Sequence, residues 1–359
     1  MRFVKPLLLV AGAILLVILV HRVGAEPILA TLRALTWWQF VLICLPYGVI
    51  VAVDTLGWRF AFARDRAPFW RLYGARLAGE ALNVVTAVGS VGGEAVKAWL
   101  VRRDVSYAES VPSIVVAKTT TVIAQAILLL IGIVLAWTAL DVSGLVLRAM
   151  LWLLLIEVLA VGGFFGAQVA GLVGRAGRAL VWAGVTADAA AAESLDASLR
   201  RYYRHEWRRF ALSTGFLTLG WLMGALETTL MLWLLGVTSS AVMATVIEAL
   251  GSGVRFASFM VPASLGAFEG ANAAAFGALG FGAGAGLAFS FVRRARQTVW
   301  IVVGLLVLLG MRWAEAKTPA RRAPPPRPSA PSGPRSRPAG RATAAPDDVP
   351  RAPRGDGAW

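Results

Sequence analysis

Several apolar windows of this chain are longer than 18 residues, the length a helix needs to cross a bilayer. In hydrocarbon every backbone N–H and C=O must be bonded internally, so only helices and closed barrels cross. A barrel requires roughly ten-residue segments of alternating polarity, and none occur. The chain therefore reads as an all-α, polytopic transmembrane helical bundle. Its 58% hydrophobic residues, 14 tryptophans and mean hydropathy of +0.68 agree.

Two breaks interrupt the apolar regions. One is Ser264-Leu-Gly-Ala-Phe-Glu269-Gly-Ala-Asn-Ala, entered through Pro262, inside an apolar region from about residue 240 to 311. The other is Gly89-Ser-Val-Gly-Gly-Glu94-Ala-Val-Lys97. Both follow the pattern Ser-hydrophobe-Gly and then, after one or two residues, Glu. A backbone break at membrane depth is tolerated only where protein or a wet cavity covers it. Broken helices beside a charge are how many transporters build a midplane site.

Charge sets the topology. Arg2 and Lys5 precede the apolar run Leu7–Val20, expected to be an uncleaved first span rather than a signal peptide. Trp37 and Trp38 open a second span reaching about residue 56. Residues 59–76, with five arginines, read as a basic cytoplasmic loop. Residues 77–101 contain two halves too short to span, with Arg76 and Arg102-Arg103 on either side; they read as a re-entrant hairpin or as two interfacial helices. Spans follow at about 112–139 and 149–171, a basic surface helix at 193–209, and a span at about 210–235. After that, either residues 241–283 form a second hairpin before one long last span, or 241–261 and 271–292 each cross. The count is six to eight spans. The first arrangement gives two inverted units, about 6–139 and 149–311. Both termini are expected in the cytoplasm of a bacterium, with the protein multi-pass in the inner membrane.

Net charge is +15, and 11 of the 17 prolines lie beyond residue 318. Residues 1–314 read as the membrane domain and 315–359 as a disordered Pro/Arg-rich cytoplasmic tail. Without interleaved aromatics the tail is not read as binding nucleic acid. The two histidines have no metal-ligand partners at useful spacing, and no cofactor motif is present.

Candidate binding residues follow from the breaks and from charges inside apolar spans. Such charges usually pair or line a pathway. Glu94 and Glu269 sit where a helix restarts, as caps or as site residues. Lys97 follows Glu94 at one turn's spacing. Arg255 shares a helix face with Glu248, about 10 Å away, and is expected to pair with it through an intermediary or with Glu269. Arg293 and Arg296, on one face with Gln297, present guanidinium forks suited to phosphate. Glu157, Glu227 and Lys118 are further intramembrane charges.

The Gly-Gly-Glu-x-x-Lys of GSVGGEAVKAWLVRR, then VPASLGAFEGANAAAFGALG and the Arg-rich start of the last span, resemble the flippase-like membrane domain of lysylphosphatidylglycerol synthases and their stand-alone relatives. The resemblance covers about residues 1–312. Val116–Thr120, with its Ala-Lys-Thr-Thr, is similar to the hopanoid-biosynthesis-associated branch. The resemblance implies translocation or handling of polar lipids, with membrane lipids as partners and Glu94, Lys97, Arg255, Glu269, Arg293 and Arg296 at the headgroup. The alternatives are a non-transporting partner of lipid-biosynthesis proteins and, last, a membrane-embedded enzyme using Glu248 or Glu269 as a base. The tail is shorter than a catalytic domain, so synthase activity is not expected.

Overall fold

The computed structural model describes residues 4–33, 35–65, 67–85, 91–140, 143–170, 189–259 and 261–317. The tail expected from residue 315 lies outside them beyond Lys317, as do Gly89 and Ser90 of the first break. Among the described residues there are twelve α-helices and no strand. Residues up to Lys317 belong to one compact unit.

The helices in order are α1 (Val4–Val23), α2 (Ala25–Arg33), α3 (Trp37–Ala61), α4 (Phe69–Val85), α5 (Val91–Val101), α6 (Tyr107–Ala139), α7 (Gly144–Val169), α8 (Ala189–His205), α9 (Trp207–Leu234), α10 (Ala241–Ala257), α11 (Ala267–Ala278) and α12 (Ala283–Lys317). A single 3-10 turn, Pro262–Ser264, separates α10 from α11. Polar residues at helix starts bond the first free N–H groups. The Thr36 backbone N–H donates to Gln39 Oε1 at 2.7 Å, and Ser240 Oγ accepts from the Met243 N–H at 3.2 Å.

Among the described residues five helices are long and apolar enough to cross a membrane: Trp37–Ala61, Tyr107–Ala139, Gly144–Gln168, Trp207–Leu234 and Ala283–Ala316. The first helix contributes the shorter apolar stretch Ala13–Val23. The remaining apolar elements form two pairs of short helices, α4 with α5 and α10 with α11. With 17, 11, 17 and 12 residues, none of the four reaches about 20 residues, the usual length of a span. The arrangement with 241–261 and 271–292 each crossing is thereby corrected. A turn at 279–282 divides the second of those segments between α11 and α12, and α12 runs 35 residues as one helix.

Element order repeats. A long helix, a short one, a long helix, a hairpin of two short helices and a last long helix make up α1–α6 and again α7–α12. The packing follows the same exchange. The third helix packs on α9, its counterpart; α4 packs on α12 as α10 packs on α6; and α2 packs on α12 as α8 packs on α6. A repeated order of this kind is the arrangement from which transporters with internal repeats are built.

Two apolar clusters sit at opposite ends. Trp58, Leu72, Leu100, Leu199 and Tyr202 form one, where the ends of α3 and α5 meet α8. Ile43, Met231, Phe276 and Phe289 form the other. The Tyr202 hydroxyl donates to Phe60 O at 2.8 Å and ties α8 to α3; burial pushes its phenol pKa up, which keeps it a donor. Apart from Trp152, inside α7, the exposed tryptophans gather in two groups. Trp37, Trp38, Trp137 and Trp233 stand at one set of helix ends, and Trp70, Trp207 and Trp313 at the other. Indoles at two levels around an apolar band form the usual interfacial belts.

Two sequence expectations need correction here. The loop between α3 and α4 is only residues 62–68, so Arg71 and Arg76 belong to α4, and Arg76 is buried. The basic surface helix expected at 193–209 lies four residues earlier, at Ala189–His205. It ends at His205, and Arg208 and Arg209 open α9.

Candidate functional site

The two hairpins and the long helices enclose a cavity of about 450 Å³. Aromatic side chains, Tyr47, Trp221, Phe268 and Trp300, form part of its wall, charged groups from five helices reach it, and Ala263 and Ser264 of the turn line it. An apolar bundle has no reason to gather so many charges at one depth unless they pair, because each isolated one costs several kcal/mol (about 2.5–3.5 on insertion scales).

They do pair. Glu248, on α10 and 1% exposed, accepts a two-pronged fork from Arg293 of α12, with Nη2 at 2.8 Å from Oε1. Arg255 Nη2 lies 3.0 Å from the same Oε1, and Thr228 Oγ1 donates to Oε2 at 2.8 Å. Arg255 therefore meets Glu248 directly, without the expected intermediary and without Glu269. Its long stem spans two helical turns, and its guanidinium lies 5.0 Å from the Phe268 ring centroid.

A second group has the opposite composition. Arg76 of α4 stands between Asp54, 3.1 Å from Nη2, and Glu80, 2.8 Å from Nε. Tyr47 OH donates to Glu80 Oε2 at 3.1 Å. Arg296 pairs with Glu227 in a buried bridge and lies 4.7 Å over the Tyr47 ring.

The hairpin tips carry the remaining pairs. Gly266, at φ 78°, precedes α11 in a conformation that only glycine adopts without strain. Its N–H donates to Glu269 Oε2 at 2.7 Å, and the other oxygen of Glu269 accepts from Arg294. Glu269 is thus both a cap and half of an ion pair. Ala263 and Ser264 also have positive φ, 53° and 50°, despite carrying side chains. Arg294 Nη1 donates to Ala263 O at 3.1 Å, and Ser258 Oγ to Ser264 Oγ at 2.9 Å, holding that turn.

At the first tip Glu94 meets Lys97 at 3.2 Å, Lys118 at 3.1 Å and Asn83 Nδ2 at 3.2 Å. Asn83 Oδ1 accepts the Gly93 N–H at 2.9 Å. The two tips correspond: Lys118 lies eleven residues after Tyr107, and Arg294 eleven after Ala283. Each bridges to the carboxylate in the first turn after the break.

Of the six candidate residues, Arg255, Arg293 and Arg296 line the cavity. Glu269 stands behind it and holds Arg294, which does line it. Glu94 and Lys97 are not among its lining residues and form their own cluster. Arg293 and Arg296 do not offer free forks to a phosphate, since each is engaged by a carboxylate. Sequence reasoning missed Asp54, Arg76, Glu80 and Arg294 as site residues. The signal available was the i, i+4 pair Arg76 and Glu80 within an otherwise apolar helix face. Among the described residues no group of three His, Cys, Asp or Glu side chains could hold a metal ion.

A family model described as the lysylphosphatidylglycerol synthase TM region matches residues 4–306. No curated protein and no solved structure matches the chain.

Proposed function

The chain belongs to the family of lysylphosphatidylglycerol synthase TM regions, and from that premise we propose that it moves a polar lipid between leaflets, passing the headgroup through the central cavity. The integral membrane character is plain from the family and the apolar helices; translocation is the finer step. The observation that carries it is the cavity itself. A charged, aromatic-walled space lies between two hairpins at the depth of the long helices, where a headgroup would otherwise meet hydrocarbon. Arg255, with 30% of its side chain exposed, is the cation best placed for a lipid phosphate.

Rigid ion pairs support a conduit more than an enzyme. Glu248 already accepts hydrogen bonds from three side chains, and Glu269 from a backbone N–H and an arginine. Neither is free to serve as a base. The proposed setting is a bacterial inner membrane, with the basic ends of α8 and α9 in the cytoplasm.

The test is leaflet exchange of acyl-labelled phospholipid in proteoliposomes of the full chain. Exchange well above protein-free vesicles is expected, with Arg255→Gln reducing it. A purified, folded protein that exchanges no phospholipid would remove translocation and favour a role as a partner of lipid-synthesis enzymes.

A further inference from the structure

The halves of this protein repeat in element order and packing, but their charges do not. Arg76 lies seven residues after Phe69, the first residue of α4, and Glu248 seven after Ala241, the first residue of α10. These equivalent places on equivalent helices carry opposite signs, and the partners are reversed as well. Arg76 is shared by the two carboxylates Asp54 and Glu80; Glu248 is shared by the two guanidiniums Arg255 and Arg293. By their direct ion pairs, one group has a carboxylate in excess and the other a guanidinium in excess. Both face the same cavity.

Their spacing can be read from α9. A methyl group added at Gly220 would overlap Asp54 Oδ1, while one added at Gly224 would lie 3.7 Å from Glu248 Oε1. Asp54 and Glu248, one carboxylate from each group, thus lie against α9 one turn apart, about 6 Å along its axis, and Arg255 stands 3.0 Å from Glu248. A phosphate and an ammonium joined by a two-carbon link are separated on that same scale. Asp54 and Glu80 keep 22% and 28% of their side chains exposed, and Arg255 30%, whereas Glu248 keeps 1%. The accessible groups are therefore the excess charges at each pole.

We propose that the cavity selects a zwitterionic phospholipid headgroup, with its phosphate at Arg255 and its primary ammonium at Asp54 and Glu80. This rests on reading the cavity as a headgroup path. An anionic headgroup without an amine would satisfy one pole and leave the acidic pole unmatched. A quaternary ammonium would bring the charge but no N–H donors for the carboxylates.

The experiment measures binding and movement separately. Detergent-solubilised full chain is titrated with short-chain phosphatidylethanolamine and phosphatidylglycerol, with bound lipid read by native mass spectrometry. Phosphatidylethanolamine should bind about tenfold more tightly or better, the scale of a charge-assisted hydrogen bond gained. Glu80→Gln should erase that preference by weakening phosphatidylethanolamine alone. Asp54→Asn, at the same pole, serves if that variant does not fold. Equal binding of the two lipids, or preference for phosphatidylglycerol, overturns the headgroup assignment whether or not lipid is translocated. Preferential binding without leaflet exchange in proteoliposomes upholds the assignment and overturns the transport reading instead.

Discussion

Glu269 shows how one side chain can hold two structural roles at once. One oxygen caps Gly266 and the other bridges to Arg294, and the residue is fully buried. Glutamine at this position keeps an acceptor for Gly266 but removes the charge. Arg294, 23% exposed along its side chain, would be left facing the cavity without a counterion. Breaking a fully buried pair costs about 3–5 kcal/mol; partial exposure of Arg294 lowers the expected loss to about 1–3 kcal/mol. Glu269→Gln is therefore expected to fold with a lower melting temperature in detergent. The double variant Glu269→Gln with Arg294→Gln should recover most of the loss. If the double variant were no more stable than the single, the bridge would not be the relevant contact. Sequence pointed to Glu269 through its place after the break, but it could not name Arg294. Spacing on α12 favoured the face holding Arg293, Arg296 and Gln297. Which arginine meets which carboxylate depends on how α10, α11 and α12 pack, and that is not written in local spacing.

The hairpins were the most legible elements, because a break in an apolar run has few physical solutions. Pro262 and Gly266 mark where helix cannot continue, whereas Gly92 and Gly93, which look like the first break, lie inside the first turn of α5; the arms of both hairpins are too short to cross. The start of α4 was less legible, since Arg71 and Arg76 look like loop arginines until their partners Asp104, Asp54 and Glu80 are in place. The tip of the second hairpin also carries strain that no composition reveals. Ala263 and Ser264 both occupy left-handed backbone, a conformation costing about 1–2 kcal/mol for a residue with a Cβ. They are held there by Arg294 and Ser258. Ala263→Gly relieves this strain at the expense of a looser unfolded chain. Its expected effect on thermal stability is neutral to a gain of about 1 kcal/mol. A β-branched replacement, Ala263→Val, should be clearly destabilising. A destabilised glycine variant would mean that the turn is not strained.

At the scale of the whole molecule, the repeat of element order and the two tryptophan groups give the same frame. If α9 crosses the membrane, the basic end at α8 and the turn before α10 must lie on opposite sides. Arginines crowd the first, with Arg200, Arg201, Arg204, Arg208 and Arg209 close together, while residues 236–240 carry no charge. The positive-inside rule then puts Arg204 in the cytoplasm and Thr238 outside. Both positions are exposed, and Cys44 is the chain's one cysteine, so a Cys44→Ala background leaves single engineered thiols to report. In intact cells a membrane-impermeant maleimide should label Thr238→Cys, and label Arg204→Cys only after permeabilisation. The reverse pattern would invert the orientation while keeping the fold. Labelling of both from one side would mean that α9 does not cross.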